Sequence, residues 1–162
     1  KVELRLPVDV FCYNPKYKKR SDLFLQGFAE VQARDASDPT SFYAIGGIHG
    51  LPFVPYDLLP DEKIPLTDWQ KGETNRWGGY CHHGDILFPT WHRPYVMLLE
   101  MLIYEAAKKI IYTDQEQSYP AGKETDEYKQ ELEKIRFPYW DWASPSTLTN
   151  GVPSIIFDEY VY

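Results

Sequence analysis

All four histidines of the chain, His49, His82, His83 and His92, fall within one stretch, and Cys81 directly precedes the middle pair. Neutral imidazole suits copper, zinc, iron and nickel, and the motifs around these histidines bring no carboxylate of the kind a hard ion needs. A lone histidine on an apolar helical face is more often a satisfied core residue than a ligand. Three so close together, two on apolar stripes and one beside a cysteine, favour a shared ion instead. Neighbouring side chains diverge on any backbone, so His82 and His83 do not both point at it, and one of the pair is a bystander. Cys81 leaves three readings open. It is a buried thiol packing as a small hydrophobe, a thiolate ligand that would favour zinc, or a participant in covalent chemistry.

The elements that must position these residues read as mainly helical. Residues 1–20 form an extended arm, because Val2, Leu4, Leu6, Val8 and Val10 alternate with a period of two. Ser21 and Asp22 then offer an N-cap for a helix to about Arg34, with Leu23, Phe24, Gly27, Phe28 and Val31 on its apolar face. Asp38, Pro39 and Thr40 open a short helix carrying Phe42, Ile45 and His49, which Gly50 ends. Residues 51–79 are rich in Pro, Gly and charge and read as a long ordered loop. From Pro89 and Thr90 a long helix runs to about Tyr112. His92, Val96, Leu99, Ile103, Ala106 and Ile110 form its inward stripe, His92 stands in its first turn, and Pro94 lies within that turn. A further helix spans roughly 125–136. Phe137 to Trp142 is aromatic and non-helical, and the tail from Ser144 is rich in Pro and Ser.

Composition bounds the rest. At 162 residues the chain holds one compact domain, and 43% hydrophobic with 25% charged residues is ordinary for a globular protein. Net charge is −7, and the one basic cluster, Lys16, Lys18, Lys19 and Arg20, reads as a solvated approach to a helix, so nucleic acid is not an expected partner. No apolar run is long enough to span a membrane. The first residue is Lys1 rather than Met, with no signal-peptide apolar region, so the expectation is a chain processed or cropped upstream. Two cysteines do not make a disulfide framework, and the compartment stays open.

Three blocks in order then carry a resemblance. Phe42-Tyr-Ala-Ile-Gly-Gly-Ile-His-Gly-Leu-Pro-Phe53, Tyr80-Cys-His-His-Gly84 and Leu87-Phe-Pro-Thr-Trp-His-Arg-Pro-Tyr95 are similar to the copper-A half of fungal tyrosinases and catechol oxidases. Pro138-Tyr-Trp-Asp-Trp142 is similar too. The resemblance implies that His49, His83 and His92 bind one copper ion. It also implies that Cys81 forms a thioether to His83, and that His82 fills a variable position. Such a bond would stop rotation of the one imidazole that no helix holds. Arg93 and Glu100 would orient ligands or neighbouring loops from outside the ligand set, a surface salt bridge being an equal reading for each.

That family holds two coppers, each with three histidines, in a four-helix bundle, and this chain has four histidines in all. The expectation is therefore the N-terminal, copper-A part of one tyrosinase-like catalytic domain spanning 1–162. Three more histidines would come from a second polypeptide or a continuation of the chain. The implied activity is oxidation of o-diphenols to o-quinones with dioxygen, with or without monophenol hydroxylation. A haemocyanin-like oxygen-binding unit shares the same copper-A pattern. A mononuclear three-histidine zinc hydrolase is the outsider, since it has no need of Cys81.

Overall fold

A computed structural model of the chain describes residues 2–50, 81–112 and 123–158. Among these residues the structure is helical. Its β pairing is one isolated parallel bridge between Pro7 and Tyr139. The expected loop over 51–79 lies outside the described residues. The helices are α1 (Val8–Tyr13), α2 (Lys18–Ala33), α3 (Phe42–His49), α4 (Phe88–Tyr112), α5 (Lys123–Leu132) and α6 (Pro145–Asn150). The chain divides into two compact units, residues 1–28 with 104–162, and residues 29–103.

In the first unit Phe11, Leu23, Phe24, Ala106, Ala107, Ile111, Leu132 and Ile135 are buried. Phe24 centres the aromatic part, meeting Phe11 and Phe137 edge-on with ring centroids 5.4 and 5.3 Å away. Edge-to-face contact suits the ring quadrupoles and adds to the gain from burial. Arg20 is buried in the same unit, its guanidinium 2.8 Å from Glu3 and 2.9 Å from Glu131.

The expected extended arm is only partly present. Val2 to Leu6 lack regular structure, but Val8–Tyr13 is helical. Pro7 supplies the reason: its fixed φ suits a helix start, and its carbonyl accepts the Phe11 N–H at 2.8 Å. Here the period of two misled, because α1 is so short that Phe11 alone is buried. The second helix begins at Lys18, ahead of the expected cap. Ser21 does not cap it, and its hydroxyl donates back to the Lys18 carbonyl at 2.9 Å. The tail holds an element that its composition hid. Ser144 accepts the Thr147 N–H to start α6, and Gly151, at φ 76°, ends it in a conformation that disfavours a side chain.

The second unit packs Val31, Ile45, Ile48, Cys81, Leu102 and Ile103. Helix α3 is short, and its start is secured by Ser41, which is fully buried and accepts the Ala44 N–H at 3.0 Å. Asp38 instead fixes the preceding turn, accepting the Thr40 N–H at 2.7 Å. Replacing Ser41 by Ala should lower stability by about 0.5–2 kcal/mol, the usual effect of losing such a cap. A urea midpoint unchanged from the parent would remove Ser41 from that role.

Helix α4 starts at Phe88, slightly earlier than expected, so His92 is its fifth residue and Pro94 its seventh. Pro94 is therefore inside the helix rather than in its first turn. The inward stripe also shifts. Ile103 and Ala106 are buried as expected, joined by Leu102, Ala107 and Ile111, while Val96 is 39% exposed.

Candidate metal centre

Three segments deliver the site. His49 is the last residue of α3, His92 lies early in α4, and Cys81 and His83 occupy the irregular segment leading into α4. One ligand atom from each of these four residues lies within 4.8 Å of all the others. His92 Nε2 is 3.3 Å from His49 Nε2 and 3.1 Å from Cys81 Sγ, and Cys81 Sγ is 3.2 Å from His83 Nε2.

The approach to α4 is built to hold this arrangement. Gly84 turns the chain after His83 at φ 74°, where a side chain would be strained. Asp85 accepts the Leu87 N–H at 2.7 Å and thereby sets the start of the helix. His92 then reaches one turn back, its Nδ1 2.8 Å from the Phe88 carbonyl oxygen. A carbonyl accepts only from a protonated nitrogen, so His92 carries its proton on Nδ1. Its Nε2 lone pair is left facing His49 and Cys81.

Charge agrees with a ligand role. Burial, then the neighbouring His92 and His83, holds His49 below the ordinary histidine range, which favours the neutral imidazole that a metal requires. Burial pushes the Cys81 thiol above its ordinary value.

His82 is not part of the cluster. It is half-buried, with Nδ1 3.0 Å from an Asp85 carboxylate oxygen. Asp85 is held below the ordinary carboxylate range, chiefly by that bond with His82 and by the Leu87 N–H. Arg93 is exposed on α4, and Glu100 lies outside the four-residue cluster.

Sequence reasoning missed the aromatic wall. Phe88 lies 4.1 Å from the His92 ring, and Trp91 contacts His92 at 4.9 Å. Tyr95 stacks on His49 at 5.4 Å and on Trp91 at 5.1 Å. Two pairs spaced by four residues, Phe88 with His92 and Trp91 with Tyr95, were the available signal.

Three imidazoles, two of them on helices, and one sulfur are thus gathered closely enough to hold a single metal ion. The model of the common central domain of tyrosinase matches residues 39–160, and the chain belongs to that family. It is 37% identical to a tyrosinase of Podospora anserina over 139 residues, covering 85% of this chain and 22% of that protein. Polyphenol oxidase 4 of Agaricus bisporus is 35% identical over 140 residues, covering 86% of this chain and 20% of that one. A structure of recombinant mushroom tyrosinase superposes with a TM-score of 0.67 at 33% identity, over 87% of this chain and 22% of that chain. The chain thus spans about a fifth of the length of these relatives.

Proposed function

We propose that His49, His83 and His92 hold one copper ion in an oxidase that converts o-diphenols to o-quinones with dioxygen. The observation that carries the reading is the gathering of three imidazoles and Cys81, within 4.8 Å, in a chain of the tyrosinase family. The donor set fits copper: three borderline nitrogen ligands and no carboxylate among the four. Copper bound there supplies one-electron redox chemistry toward dioxygen.

The protein's part is to present ligands in fixed states. The Phe88 carbonyl holds the proton of His92 on Nδ1, and burial, with the neighbouring His92 and His83, favours the neutral form of His49. Cys81 is proposed to bond covalently to His83, locking a ring that lies outside any helix; its sulfur touches that ring. Formation of the C–S bond removes the thiol hydrogen and one ring hydrogen, with two electrons passing to dioxygen. Phenols and dioxygen are the small-molecule partners. A second set of three histidines, on another polypeptide or a continuation, completes a two-copper centre, because four histidines cannot furnish six ligands. The family match favours an oxidase over an oxygen carrier or a zinc hydrolase.

The test is copper loading of residues 1–162, alone and together with such a second set, followed by catechol oxidation. One copper per chain and no turnover alone, with turnover in the complete protein, is expected. Oxygen binding without turnover in the complete protein would indicate a carrier, and zinc with no copper after reconstitution would refute the reading. The intact mass should be two hydrogens below the residue sum, with Cys81 resistant to alkylation after unfolding.

A further inference from the structure

Among the three imidazoles, His92 has an evident orienting bond to the Phe88 carbonyl, and the loop histidine His83 lies against Cys81. His49 is the terminal residue of a helix of eight, a position where a side chain is least restrained by its own element. Among the described residues its ring meets the His83 and His92 rings edge-on at 5.3 Å and, outside the cluster, Tyr95, stacked at 5.4 Å with the planes 25° apart, and Trp91 at 6.0 Å. Tyr95 also stacks on Trp91 at 5.1 Å and 26°, so that the His49, Trp91 and Tyr95 rings form a three-membered cluster. Its hydroxyl donates to the Ile45 carbonyl at 3.1 Å, one turn before His49 on the same helix. Tyr95 therefore grips α3 at two points one turn apart, from a position three residues after His92 on α4.

We propose that Tyr95 is the positioning residue for His49. Its ring sets the His49 rotamer, and its hydroxyl sets the approach of α3 to α4, so that His49 Nε2 meets His92 Nε2. The ring stack is the larger contribution. A neutral stack of this kind fixes orientation, whereas the hydroxyl bond acts one turn away from the imidazole. Tyr95 touches a ligand and not the reacting atoms, so its effect reaches the metal only through His49. The proposal rests on the copper reading for its consequence, though not for the geometry of the ring.

Two variants separate the contributions: Tyr95→Phe keeps the stack and removes the hydroxyl, while Tyr95→Leu removes both. Copper(I) affinity is read on the purified whole protein by competition with a chromophoric chelator. Tyr95→Phe should stay within about 3-fold of the parent, and Tyr95→Leu should bind about 10- to 100-fold more weakly, the usual effect of losing a partner that orients a ligand. Metal-free protein gives an independent readout, the long-range ¹H–¹⁵N correlations of the His49 ring. One narrow set is expected for the parent and Tyr95→Phe, and a doubled or broadened set for Tyr95→Leu. Should Tyr95→Leu fail to fold, Tyr95→Met, which fills the space without a ring, carries the same comparison. A parent that binds no copper would sink the copper reading alone, since the ring signals still decide the role of Tyr95. Unchanged His49 signals in the Leu or Met variant, or equal losses in the Phe and Leu variants, would overturn the proposal.

Discussion

Replacing His92 by Ala should lower copper affinity, and with it the proposed diphenol oxidation of the complete protein, by at least about 100-fold, beyond what loss of an outer partner causes. Its Nε2 lies within the cluster, 3.3 Å from His49 Nε2 and 3.1 Å from Cys81 Sγ, so truncation removes one of the three imidazole donors. The fold should survive. His92 is only partly buried, and the Phe88 carbonyl that loses its partner lies at the open start of α4, where water can take over. A far-ultraviolet spectrum and melting temperature close to the parent's, with activity gone, is the expected pair of results. Persistent oxidation in this variant would remove His92 from the ligand set.

The largest stability effect should come from a residue outside the histidine cluster. Arg20 is 5% exposed and bridges Glu3 and Glu131, so Arg20→Met removes the cation that the two carboxylates share and leaves Glu131 with Lys134. Breaking a buried ion pair from one side destabilises by about 3–5 kcal/mol. The carboxyl of Glu131 adds a pH signature. Burial raises its pKa, but bonds from Lys134 and Arg20 outweigh this and hold it below the ordinary range. A depressed carboxylate contributes stability above its unfolded pKa of about 4.3, and that contribution is lost as pH falls through the folded value. Urea unfolding at pH 7 and pH 3 should show the parent losing more stability in acid than Arg20→Met does. Equal acid sensitivity would mean that Arg20 does not hold Glu131 ionised.

The site was more legible than the fold details, for a physical reason. Ligand chemistry is carried by residue type, so four histidines around Cys81 stand out at any level of structural ignorance. The stripe of α4 was readable as a helical period, although which positions face inward depends on neighbours and moved toward Leu102, Ala107 and Ile111. Helix α1 was not legible, because six residues with one buried side chain give too little period to oppose an apparent alternation. Helix α6 was hidden by composition, its Ser144 cap and Pro145 start reading equally well as loop. Tyr95 was invisible for a different reason. An aromatic side chain in an apolar helix is indistinguishable from core until the residue opposite it is known.

Burial along α4 is graded. Phe88, Val96, Met97 and Met101 are exposed, whereas Leu102, Ile103, Ala106, Ala107 and Ile111 are buried, and Pro94 brings no N–H for the Thr90 carbonyl. In terms of amide-hydrogen exchange, the helix should show a protected body and a first half that opens at lower free energy than the rest. His92 stands in that first half. An ion held by the proposed ligands would bind the closed form, so metal loading should slow exchange in the exposed turns of the helix. The rate at which the ion can leave is then tied to the rate at which those turns fray.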